Sequence, residues 1–174
     1  MIRFKFRVTL LLLLAFTQLK AQDISFYVNS NRGILAESEL MSGNRGGSIG
    51  LNYSKVFYKE FSYLVGTEFS LVPWGTDVHA NLGLGYSKAF SPKLMWSIQT
   101  ISHQGLALFR PKALYVTGLS AITGIEYQLN DKLSMGLSTG LKYYTCPAYK
   151  QYSLISKYID IPIQLSIKRK LTSR

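Results

Sequence analysis

Apolar and polar residues alternate with period two through most of the chain beyond residue 22. In 133–143, Leu133, Met135, Leu137, Leu141 and Tyr143 alternate with Ser134, Gly136, Ser138, Gly140 and Lys142. In 78–87, Val78, Ala80, Leu82, Leu84 and Tyr86 oppose His79, Asn81, Gly83, Gly85 and Ser87. In 158–168, Ile159, Ile161, Ile163, Leu165 and Ile167 oppose Tyr158, Asp160, Pro162, Gln164, Ser166 and Lys168. The run 61–71 follows the same rule, with Leu64 the exception. Successive side chains of a strand point to opposite faces, so this period predicts strands with one apolar face. Eight such runs lie near 23–35, 47–58, 61–72, 77–90, 93–102, 113–129, 132–144 and 154–168. Three connections are tight, at 58–61, 90–93 and 129–132. Four others, 36–46, 73–76, 103–112 and 145–153, are longer or carry Gly or Pro. Short turns at one end and loops at the other predict an all-β fold, an eight-stranded antiparallel up-and-down barrel.

The two faces decide what surrounds that barrel. One is Leu, Ile, Val, Phe and Tyr; the other is Gly, Ser, Asn, Gln and isolated charges. A water-facing surface is richer in Lys, Glu and Thr, whereas Gly and Ser fill a narrow lumen and leave room for a few large polar chains. The apolar face therefore predicts a lipid-facing band, making this a transmembrane β-barrel. Aromatic residues fall near the strand ends. Phe57, Tyr58, Phe61, Tyr63, Phe90, Trp96 and Tyr127 mark the tight-turn end; Trp74, Tyr115, Tyr144, Tyr149 and Tyr152 mark the other. Two girdles at headgroup level are expected. A soluble secreted lipocalin-like binder shares the period, with its apolar face enclosing a ligand instead.

The first 21 residues break the pattern. Arg3, Lys5 and Arg7 precede the nine-residue apolar run Val8–Phe16, and Leu19 and Ala21 fit a cleavage site before Gln22. This predicts a signal peptide over 1–21 and a barrel domain over 22–174. A helical span needs about 20 apolar residues, so the run is no anchor. The chain of 174 residues has a formal charge of +11. Without the charges of the first 21 residues, 16 basic and 9 acidic residues remain, with Lys168, Arg169, Lys170 and Arg174 gathered at the end. Export and this tail-weighted charge argue against nucleic acid as a partner. One cysteine, Cys146, excludes a disulfide scaffold and a Cys-based zinc site. Two histidines leave few ligands for a transition metal, so no metal and no cofactor are expected.

Three segments carry a resemblance. Leu19-Lys-Ala-Gln, the hairpin Gly124-Ile-Glu-Tyr-Gln-Leu-Asn-Asp-Lys-Leu-Ser-Met-Gly-Leu, and Tyr158-Ile-Asp-Ile-Pro-Ile-Gln-Leu-Ser-Ile-Lys resemble small outer-membrane β-barrel proteins of the Bacteroidota, of OmpA/OmpX-like architecture. The resemblance covers essentially the whole chain after residue 21. It implies a fold and an outer-membrane location, with outer-membrane lipids around the barrel. It implies no single activity.

The inward set includes Glu68, His79, Glu126, Lys142, Asp160, Gln164 and Lys168. Unpaired buried charge is expensive, so these predict a structural lumen network that plugs the barrel, with Glu126 and Lys142 pairing across a hairpin. Ser102 and His103 are adjacent, at a predicted strand-to-loop junction. On a strand they point to opposite sides, which is the wrong arrangement for a lipid-modifying barrel enzyme. Leu106, Leu108 and Phe109 are apolar for a loop tip and predict a contact with a membrane protein partner. The sequence thus predicts a non-enzymatic structural or accessory subunit of a larger outer-membrane complex. The alternatives are a lipid-modifying barrel enzyme and the lipocalin-like binder.

Overall fold

A computed structural model describes residues 23–36, 43–72, 75–109, 112–146 and 157–171. The expected signal segment 1–21, with Trp74, Tyr149 and Tyr152, lies outside the described residues. Eight strands follow in order: β1 Asp23–Ala36, β2 Gly43–Tyr58, β3 Phe61–Val72, β4 Gly75–Ala89, β5 Leu94–Phe109, β6 Lys112–Asn130, β7 Leu133–Thr145 and β8 Lys157–Lys170. Every neighbouring pair is antiparallel, and β1 pairs with both β2 and β8, closing the barrel. Closure leaves no strand edge unpaired, the condition for a sheet to sit in hydrocarbon. Both described chain ends and three tight turns lie at one end, called here the terminal end. The opposite end is the loop end.

The apolar face points outward on all eight strands, as Phe26, Ile49, Phe69, Leu82, Ile98, Leu119, Leu137 and Leu165 illustrate, each exposed by 40% or more. The lipocalin-like alternative required this face to enclose a ligand, and the structure turns it out. At the terminal end, Phe61 packs edge-on to Tyr86 and Tyr86 to Trp96, while Phe57 stacks near Tyr63. The Trp96 indole donates to Thr123 Oγ1 at 2.9 Å. Tyr115 and Tyr143 face outward near the loop end. Tyr144, expected in that girdle, has polar parity on β7 and points into the lumen, where it is buried.

The segment 103–112 is not a loop. β5 runs on to Phe109 and pairs with β6 from Lys112, so only 110–111 separate the strands. Leu106 and Leu108 keep the outward parity and Gly105 and Ala107 the inward one, so the alternation outlasts the predicted break. His103 therefore lies within a strand and not at a junction. Likewise 43–46 belong to β2 and not to the loop expected over 36–46. Pro162 interrupts the β7–β8 ladder between Thr139↔Ile163 and Lys142↔Asp160. The register is the same on both sides, so a rung is missing and no bulge forms.

Candidate functional site

Three layers fill the lumen, each set by inward parity. The first is polar and lies toward the loop end. Lys142 Nζ on β7 reaches Glu68 on β3 at 2.8 Å (Oε1) and 3.1 Å (Oε2). The Tyr27 hydroxyl on β1 donates to Glu68 Oε2 at 2.8 Å, and Ser70 donates to Oε1 at 3.3 Å. Asn81 Nδ2 on β4 donates to the Tyr27 hydroxyl at 3.1 Å. The Asn81 oxygen lies 2.8 Å from His103 Nδ1 on β5, and His103 Nε2 lies 2.9 Å from Ser120 Oγ on β6. An amide oxygen only accepts, which places the ring proton on Nδ1 and leaves Nε2 of the neutral ring to accept from Ser120. One chain of hydrogen bonds thus ties six strands across the lumen.

Glycines create the room. A Cβ on Gly50 would lie 2.1 Å from the Tyr27 ring, and one on Gly105 would lie 2.7 Å from His79 Nδ1. Gly118 does the same for the Tyr144 ring, at 2.5 Å. Above the chain, the rings of His79 and His103 each lie 5.3 Å from Tyr144, which sits 5.2 Å from Tyr158. Tyr158 hydrogen-bonds Asp77, whose carboxylate is 3.9 Å from His79 Nε2.

The second layer is apolar. Leu64, Ile101 and Ile122 are each 5% exposed. Each lies nearer the terminal end than Glu68, His103 or Ser120 on its own strand. Leu64, Gly83 and Ile101 are in register across β3, β4 and β5. The one exception to alternation in β3 is thus an apolar residue facing the lumen.

The third layer is an open vestibule of about 1040 Å³ at the terminal end. Lys55, Lys93, Lys132, Lys168 and Lys170 line it with Asp23, Glu126 and Asp131. Lys168 pairs with Glu126, which also accepts from Ser134 at 2.6 Å.

The expected Glu126–Lys142 pair does not form. Glu126 is in register with Gly136, and Lys142 with Ser120. Register places Glu126 in the vestibule and Lys142 in the polar core. Asp160 is buried in register beside Lys142. Gln164 is half-buried in register with Ser138 and Asn29. Leu106 and Leu108 are on the outer surface, 48% and 49% exposed, and Phe109 ends β5. The sequence does not single out Tyr27, Ser120 or Asp77; it places Asn81 only by its polar parity and Tyr144 in the loop-end girdle. Tyr27 and Tyr144 share parity with Asn29 and Lys142, and that parity was the available signal.

Ser120, His103 and Asn81 have the spacing of a hydroxyl, a base and its orienting partner. They are at most 1% exposed, so an acyl group from solvent or lipid does not reach the Ser120 oxygen. Ser102, the serine next to His103, faces the other way, toward the outer surface. Among the described residues, no group of three or more His, Cys, Asp or Glu is placed to hold a metal ion.

No protein-family model and no curated protein matches this sequence. The structure is similar to that of Neisserial surface protein A, with a TM-score of 0.64 and 10% identity over 86% of this chain and 96% of that one. It is also similar to a de novo designed transmembrane β-barrel, with a TM-score of 0.50 and 12% identity over 88% and 98%. The Yersinia pestis outer membrane protein Ail matches at a TM-score of 0.42 and 10% identity over 83% and 99%. The fold is a closed eight-stranded antiparallel barrel of the kind seen in outer-membrane β-barrel structures.

Proposed function

We propose that this chain is a Bacteroidota-type outer-membrane barrel, exported by its N-terminal segment, with a plugged lumen. It serves as a non-enzymatic structural or accessory subunit of a larger outer-membrane complex. The observation that carries this reading is the contrast between faces. Apolar side chains cover the outside of all eight strands, while the Glu68–Lys142 network and the Leu64/Ile101/Ile122 layer cross the inside. A filled lumen suits neither conduction nor release of a ligand, which leaves the outer surface to act. The β5–β6 hairpin is the surface that fits a partner. Counted from Trp96 in the terminal-end girdle, a crossing of about 10 residues ends near Leu106. Leu106 and Leu108 therefore stand at or above the far boundary, still apolar and exposed.

The test is co-purification of the tagged barrel from native membranes in mild detergent. A stoichiometric membrane partner is expected, lost from Leu106→Ser/Leu108→Ser protein that keeps heat-modifiable gel migration. Recovery of the barrel alone rejects the accessory role, and release without detergent rejects the membrane location. Steady conductance of the wild-type barrel in a planar bilayer rejects the plug.

A further inference from the structure

We propose that the terminal-end vestibule is a binding site for a small organic anion with a short apolar body, such as a medium-chain carboxylate. The charge of the wall comes first. Five lysines face three acids there, and Glu126 is already engaged by Lys168 and Ser134. Among the described residues, Lys55, Lys93 and Lys132 take part in no ion pair, and Lys170 stands opposite Asp23 in the β1–β8 register. They come from β2, the β4–β5 connection, the β6–β7 turn and β8, so they surround the opening. Cations of one sign around a concave, low-dielectric wall focus the field into the cleft and concentrate counter-ions there.

Lipid headgroups are a poor account of Lys168 and Lys170, which have the inward parity of β8, whereas the neighbouring Arg169 has the outward parity, where headgroups lie; Lys55 shares the outward parity of Tyr53 on β2. The second argument is the wall between the charges. Val56, Pro92, Leu94, Met95 and Leu133 line the same cavity, which gives an anion's apolar body a surface to cover. The third is what lies deeper in the lumen. Farther along the strands than the lining residues come the buried Leu64, Ile101 and Ile122, and beyond them Glu68, Asp77 and Asp160 with Lys142. An anion that enters is held by the lysines and stopped by apolar side chains backed by carboxylates.

The site needs only the folded barrel, whatever partner its outer surface meets. Hexanoate is the probe, added to the barrel in nanodiscs of zwitterionic lipid at low salt, with amide shifts read by NMR. Saturable shifts at Lys93, Lys132, Leu133 and Ser134 are expected, and they weaken as salt is added. Hexanol and inorganic phosphate each lack one half of the ligand and are expected to bind at least about tenfold more weakly. Lys93→Glu/Lys132→Glu protein is expected to lose hexanoate binding, and Lys88→Glu/Arg169→Glu, on the outer side, to keep it. Equal affinity for hexanol would overturn the ionic role of the lysines. Equal affinity for phosphate would overturn the role of the apolar wall. Unchanged hexanoate binding in the Lys93/Lys132 variant would overturn the site itself. Heat-modifiable migration of each variant separates these results from a failure to form the barrel.

Discussion

The two ends of the lumen are made by the same alternating strands and treat charge in opposite ways. Toward the loop end, Lys142 and Glu68 are nearly inaccessible, and each Glu68 oxygen receives two hydrogen bonds. Toward the terminal end, lysines stand around an open cavity and only Lys168 is paired among the described residues. The difference follows from solvent. A buried charge is stable only when a counter-charge and hydrogen bonds replace its water, so the core is specified residue by residue. A charge in an open vestibule keeps its water and tolerates a missing partner, which leaves it available to a ligand. An apolar layer divides the two regimes, and it includes the residue that breaks the strand pattern.

The comparison is broken most directly at Lys142. Lys142→Met strands the Glu68 carboxylate in the core, and a loss of about 3–5 kcal/mol is expected. Urea unfolding in lipid vesicles, followed by tryptophan fluorescence, measures it. Pairing the change with Glu68→Gln is expected to restore much of the loss, because the Glu68 charge is removed together with its counter-charge. A single variant as stable as wild type would mean that the core charges are solvated like those of the vestibule. A smaller effect is expected at Gly50. The Cβ of Gly50→Ala would meet the Tyr27 ring at 2.1 Å and push its hydroxyl from Glu68. Overpacking of this kind typically costs about 1–3 kcal/mol, readable in the same unfolding curves. The smallest effect lies at the exposed end. Lys59, in the Tyr58–Phe61 turn, has φ 45°, a left-handed conformation that L side chains resist. Lys59→Gly is expected to stabilise the barrel by up to about 1 kcal/mol. A thermal midpoint that falls instead would show that the lysine side chain, not the backbone, holds that turn.

Much of this architecture was legible along the chain. Period two marks all eight strands and separates most outward-facing residues from lumen-facing ones. It also showed why Gly and Ser dominate the inner set. His103-Gln104-Gly105 has the character of a strand end, because a polar run with glycine is a turn signal in isolation. In the barrel, Gly105 faces the lumen where His79 needs the space, and the strand continues. The pairing of the lumen charges is hidden in the sequence for another reason. Glu126 and Lys142 are near in sequence, but the hairpin register sets them apart, while the partner of Lys142 is 74 residues away. Tyr27 and Glu68 are 41 apart, and Asn81 and Tyr27 are 54 apart.

Alternation is a property of the extended backbone, so the sequence by itself determined the strands, their number and the character of each face. Which inward residues meet depends on register and on the stagger with which β1 closes against β8. Those are properties of the whole sheet, and only the tertiary structure decided them. It put Lys142 on Glu68, laid Leu64, Ile101 and Ile122 beneath the polar core, and left a ring of lysines around an open vestibule.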